Sequence, residues 1–358
     1  MKQAIANVKR KTGRGDTGVS FTELLIVMFI FSILGIMVYD LLVGTARTNL
    51  YLEANNDLSE YGQRLVNEIK TEMLQSKKLI ERSSQGQDYL AALEMSGAPE
   101  PIDTCSLPTI EVNGSFSPSL VGDADHPFDP ASVGNALFFA QAMRPYLDDS
   151  SGVRIDLYRL NYYYLGKDNS RTIAEESNIL DLYRWTSVWF ADYNQLYQLN
   201  NLDDGGATLS STLTALKAAD AATERPAISM AWSPDEDMDE AFYSFASGSL
   251  SSSPDGSYEI ERDTVASAIE HLNSPRIGGK MVYSVAFNTG QNFDLGDTVP
   301  AFATADTSDD GFPHGFEVMM GGPTGGRRVM IRLVLAADAG SARMVSRENV
   351  VLINARDY

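Results

Sequence analysis

From Leu24 to Val43 the chain is apolar for twenty residues, interrupted only by Gly35, Ser32, Tyr39 and Asp40. A lone carboxylate, Glu23, stands at the mouth of the run. Twenty helical residues cover about 30 Å, one hydrocarbon thickness, so the segment is long enough to cross a bilayer once. Residues 1–17 carry Lys2, Lys9, Arg10, Lys11 and Arg14 against Asp16 alone, a bias that holds this end on the cytoplasmic side. An ionisable group at the edge of a span is costly and persists with a partner or a task, so Glu23 requires an explanation.

Three readings cover this segment. A secretory signal peptide has a core of about 7–15 residues and a small-residue cleavage site. Gly44-Thr45-Ala46 would serve as that site, but the run is too long and Glu23 has no role. An uncleaved signal anchor fits the length and the charge bias and leaves Gly18 and Glu23 without a purpose. The third reading rests on GVSFTELLIV, which closely resembles the type IV prepilin signature. In that family a peptidase cuts after the glycine and the new N-terminus is methylated. The resemblance implies cleavage between Gly18 and Val19, N-methylation of Val19, and an assembly role for Glu23 as the fifth mature residue. The family's glutamate is thought to neutralise the α-amine of a neighbouring subunit. That amine, with a reference pKa of about 7.7–8.0, is largely cationic at neutral pH. Two opposite charges in a low-dielectric layer attract strongly, and each alone is expensive. A glutamate that merely snorkels to the interface is the bland alternative.

The chain departs from the family pattern in places. Val19 stands where phenylalanine is usual, and no proline interrupts the apolar stretch. Asp40 lies near the usual proline position, either capping the membrane edge, meeting a basic group on a partner, or sitting in interfacial water. Cys105 is the only cysteine, so no intramolecular disulfide can staple the molecule and the core must stabilise it.

Beyond the membrane, Leu50, Ala54, Leu58, Tyr61, Leu65, Ile69 and Met73 recur at spacings of three and four, a one-sided helical stripe. One helix is expected from about Ser20 to about Arg82, roughly 90 Å long. The expected organisation is a leader over 1–18, a transmembrane half over 19–44, an exported amphipathic half over 45–95 and a globular head over 96–358. Residues 96–134 are rich in Pro, Gly, Ser and Asp and read as an irregular connection. RIDLYRLNYYYLG, ILDLYRWTSVWF, PAISMAW, MVYSVAFNTG, RRVMIRLVLAAD and RMVSRENVVLINAR read as strands. ATLSSTLTALKAADAA and TVASAIEHL read as helices. The fold class is therefore α+β, with an antiparallel sheet against the upper half of a long N-terminal helix. IDLYRLNYYYL with LDLYRW, and the pairing of RVMIRLVL with SRENVVLINAR, resemble J-type pseudopilins of type II secretion and W-type minor pilins.

The full chain of 358 residues has a net charge of −20, of which the leader contributes +4, leaving −24 beyond it. That balance argues against binding a phosphate backbone. Asp306, Ser308, Asp310 and Glu317 match the spacing of a calcium loop, with Gly311 at the turn. Pro313 and the non-helical flanks do not suit an EF-hand, and an acidic turn is the alternative to a calcium-stabilised loop. His126, His271 and His314 have no metal spacing, and no nucleophile elbow, P-loop or dinucleotide fingerprint appears. Tyr162–Tyr164, Trp185 and Trp189 suit strand core better than a carbohydrate or partner surface. The resemblance implies no enzyme and no resident cofactor. Its partners are other pilin or pseudopilin subunits, the prepilin peptidase and the inner-membrane assembly platform. The other reading is a membrane-anchored exported binding protein or enzyme whose head does the work.

Overall fold

A computed structural model describes residues 20–101, 105–116, 132–148, 152–166, 179–202, 207–238, 240–245, 249–252, 258–263, 269–271, 283–286, 315–338 and 344–357. The chain divides into two compact units that meet between Leu52 and Glu53. Helix α1 (Phe21–Met73) contributes to both.

In the first unit every large apolar side chain from Leu24 to Leu42 is at least 42 % exposed. Among the described residues none covers a face of this stretch, which presents apolar side chains all round. Three of its hydroxyls bond within the helix: Ser32, Thr45 and Thr48 donate to the carbonyls of Met28, Leu41 and Gly44, one turn back.

In the second unit the stripe forms as its spacing requires. Ala54, Leu58, Leu65, Ile69 and Met73 are buried, with Val66 beside them and Tyr61 packed on the margin. Leu50 belongs to the other unit and is exposed. The helix stops at Met73, not near residue 82 or 95 as its periodicity suggests. Residues 76–80 instead form strand β1 (Ser76–Ile80), followed by the short helix α2 (Ser84–Ala91). Leu79 and Ile80 fit a helical stripe and a strand equally well, and no proline or glycine marks the change. Pairing of β1 with β3 (Leu137–Asp148), from Ser76↔Gln141 to Ile80↔Phe138, decides it.

The sheet runs in the order β1, β3, β4 (Val153–Gly166), β5 (Ile179–Asp192), β10 (Tyr283–Ala286), β12 (Arg328–Asp338), β11 (Phe316–Gly321), β2 (Ile110–Glu111). The last strand, β13 (Met344–Asn354), pairs with β12 over eleven residues, the C-terminal hairpin expected from the sequence. β6 (Met230–Trp232), β7 (Phe242–Ser244), β8 (Ser251–Ser252) and β9 (Ile269–His271) extend from β5. All pairings are antiparallel except β2 with β11 and β5 with β6. TVASAIEHL is not helical where it is described: Ile269–His271 pairs antiparallel with β5, from Trp185 to Tyr183. Its β-branched start and short length leave the choice to tertiary pairing.

Strand alternation distributes the aromatic residues. Along β4, Tyr163 and Leu165 turn to the core under α1, with Phe139, Val318, Ile331 and Ile353. Tyr162 and Tyr164 turn to a second core with Tyr89, Phe138, Trp185 and Trp232. These tyrosines and Trp185 are core residues, as expected, and Trp189 packs against a third cluster. That cluster holds Leu196 of α3 (Tyr193–Leu202) and Leu209, Leu213 and Leu216 of α4 (Ala207–Lys217). The alanine-rich sequence predicts helix to residue 222, five residues beyond the end of α4. Arg225 closes α4 by donating to the carbonyls of Ala215, Leu216 and Ala218 at 2.9–3.1 Å.

Candidate functional site: the start of the long helix

Gly18 and Val19 lie outside the described residues, and Glu23 lies in the first turn of α1. The residues SFTE close a reciprocal cap there. The Ser20 N–H donates to Glu23 Oε2 at 2.9 Å, and the Glu23 N–H donates to Ser20 Oγ at 3.2 Å. The Ser20 carbonyl accepts from the Leu24 N–H at 3.1 Å, the first turn of the helix. Two orphan donors are thus satisfied, and a negative side chain meets the positive end of the helix dipole. Glu23 therefore has a local partner as well as the apolar helix behind it. The sequence signal for this cap is S-x-x-E before an apolar run, which overlaps the glycine–glutamate spacing.

A second polar cluster fixes the exported part of α1 to the sheet. Glu72 is buried, and its Oε1 accepts from Arg184 Nη1 at 2.7 Å and lies 3.6 Å from Arg159 Nη2. Its Oε2 accepts a hydrogen bond from the Tyr163 hydroxyl. Arg184 Nη1 also reaches Glu68 Oε1 at 2.9 Å, one helical turn earlier. Arg159 donates to Gln141, which accepts from Asn161 and donates to Gln75. Burial, followed by the charge on Glu72, pushes the Tyr163 hydroxyl well above its ordinary range, so it stays a donor. Burial lowers Arg159, and Glu72 opposes that shift. The two arginines come from the two LYR triplets, IDLYRL and LDLYRW, so each triplet gives its aromatic residue to one face and its base to the other.

Asp306, Ser308 and Asp310 lie outside the described residues. Glu317 is on β11, fully buried, with Oε2 3.5 Å from Arg332 Nη1. His126 and His314 also lie outside the described residues, and His271 is in β9. Among the described residues no three His, Cys, Asp or Glu side chains converge as metal ligands. Cys105 is half-buried, 3.4 Å from the Tyr162 hydroxyl, and burial raises its thiol, which keeps it protonated and unreactive. A cavity of about 760 Å³ lies beside α2, lined by Gln85, Asp88, Leu93, Asp237, Tyr258 and Glu259 among others. Its three carboxylates are solvent-exposed, and no paired nucleophile and base lines it. No protein-family model, no curated protein and no solved structure matches this chain.

Proposed function

We propose that this chain is a minor pilin or pseudopilin of the type IV pilin-like kind. It is cut between Gly18 and Val19, methylated on Val19, and built into a pilus or type II secretion pseudopilus, where it helps to initiate or cap the filament. The observation that carries the reading is the conjunction of GVSFTE with a helix exposed on every face over its apolar half. Such a helix needs lipid before assembly and neighbouring helices after it. On this reading the N-terminus is cytoplasmic, the span crosses the inner membrane once, and the head lies on the far side. The partners are other subunits, the prepilin peptidase and the membrane platform. The J-type and W-type resemblance points to a subunit at the filament tip, and the head acts as a docking body without catalysis.

Mass spectrometry of the membrane-extracted chain tests the reading. A mature N-terminus at Val19 carrying one methyl group is the expected result. A start at Met1 or at Arg47 would overturn it.

One observation favours a second reading, an exported protein held by a plain signal anchor. The Ser20–Glu23 cap gives Glu23 a role that needs no neighbouring subunit. The two roles separate on substitution.

A further inference from the structure

Residues 110–116 form an arch held at both ends. On one side β2 pairs in parallel with β11, Ile110 beside Met320 and Glu111 beside Gly321. On the other, Phe116 packs on Val133, Met319 and Met330, with the Arg328 guanidinium 5.2 Å from its ring centre. Between these anchors the Gly114 N–H donates to the Glu111 carbonyl at 3.0 Å, closing a turn with Val112 and Asn113 at its central positions. The same carbonyl accepts from the Gly322 N–H at 3.1 Å, which ties the turn to the sheet. Val112, Asn113 and Ser115 are exposed. The Asn113 carboxamide has no hydrogen-bond partner among the described residues.

Asn113-Gly114-Ser115 is an asparagine with a hydroxyl two residues on, the acceptor sequence for N-linked glycosylation. No other asparagine of the chain has serine or threonine at that place. A buried or strand-locked copy of this triplet could not be used, because a transferase must reach the carboxamide and bend the chain around it. Here the chain is already bent and the carboxamide faces solvent. The same dipeptide invites a competing reaction. In Asn-Gly the backbone nitrogen of the glycine can attack the side-chain carbonyl carbon, expel ammonia and form a succinimide, which water opens to aspartate or isoaspartate. That attack needs the Gly114 nitrogen, whose N–H is committed to Glu111. The turn thus presents the carboxamide and also preserves it.

We propose that Asn113 is an N-glycosylation acceptor whose donor is a glycan carried on a polyprenyl diphosphate. In the transfer Asn113 Nδ2 bonds to the anomeric carbon and the bond from that carbon to the diphosphate oxygen breaks. The amide gives up one proton to solvent and the polyprenyl diphosphate leaves. The inference rests on the head being exported, the topology that the filament and signal-anchor readings share. A glycan there flanks β2, the last strand along the sheet, and obstructs edge-to-edge pairing on that side.

The test is mass spectrometry of the full chain extracted from its native membrane, with fragmentation that keeps the sugar on the peptide. The expected result is a saccharide on Asn113 and on no other asparagine. Asn113→Gln and Ser115→Ala should abolish it, and Ser115→Thr, which retains the hydroxyl, should keep it. Loss with alanine and retention with threonine separates recognition of the triplet from a folding defect. An unmodified Asn113 in the unsubstituted chain, aspartate or isoaspartate at that position, or a glycan that survives Asn113→Gln would overturn the proposal. A chain starting at Val19 with a bare Asn113 refutes the glycan and leaves the filament reading intact. A chain starting at Met1 with a glycan on Asn113 keeps the site and removes the filament.

Discussion

Two glutamates on one helix carry different burdens. Glu23 has a capping role and, on the filament reading, a charge role, and glutamine separates them. Glutamine closes a capping box as glutamate does, but it cannot neutralise an amine. Filament assembly should therefore fail with Glu23→Gln while the first turn stays protected in hydrogen exchange. Assembly that survives Glu23→Gln and fails with Ser20→Ala would leave only the cap. Glu72 is the more structural of the two. Glu72→Ala removes the nearest counter-charge of the part-buried Arg159 and leaves Arg184 with Glu68, and should cost about 2–3 kcal/mol in denaturant unfolding. At this scale the sequence was partly legible. The S-x-x-E cap needs only four adjacent residues. The Glu72 cluster needs strands more than eighty residues further on, and nothing local marks the LYR arginines as its partners.

Among the elements, α1 and β13 meet unusually closely. A Cβ placed on Gly62 would lie 2.1 Å from Asn349 Nδ2, a buried amide nitrogen without a hydrogen-bond partner among the described residues. Gly62→Ala should destabilise the head by about 1–3 kcal/mol, and Asn349→Ala should recover most of that loss in a double-mutant cycle. A cycle with no coupling would mean that the helix lifts instead of pushing Asn349 aside. The stripe that seats α1 was visible in the sequence because period 3.6 was sustained over six turns. Its end was not visible, because Leu79 and Ile80 satisfy helix and strand alike and the decision belongs to β3, sixty residues later. The strands β4, β5, β12 and β13 were legible from their β-branched and aromatic runs. β9 was not, since three residues carry too little pattern to outweigh a helix-prone neighbourhood.

For the whole molecule, stability without a disulfide depends on tyrosines that must stay neutral. Tyr89 is fully buried, accepts from Trp232 Nε1 at 3.0 Å, and is raised by burial from 10.0 to about 12. A group whose folded pKa lies above its unfolded value contributes fully below the unfolded pKa, and that contribution disappears as pH rises through the folded one. The head should therefore hold its stability up to about pH 10 and lose it progressively toward pH 12. Tyr158, Tyr164 and Tyr258 are shifted the same way by burial and sharpen the loss. In Tyr89→Phe the unfolding free energy at neutral pH should fall by about 1–3 kcal/mol, because Trp232 loses its acceptor. The decline between pH 10 and 12 should become shallower, and an unchanged slope would exonerate Tyr89.

The strand that follows α1, β1, also sets a schedule for folding. Ser76 donates to the carbonyl of Arg356 at 2.7 Å, and the Leu79 N–H donates to Asp357 Oδ1 at 3.0 Å. The two ends of that clasp are 280 and 278 positions apart. Contacts this remote form slowly, because a long loop must close before they return any free energy. The seat of α1 is therefore completed only once residues 353–357 are in place, and the apolar stripe stays bare until they arrive. Loss of residues 353–357 should thus resemble an early folding defect, with the stripe open to proteases along its whole length.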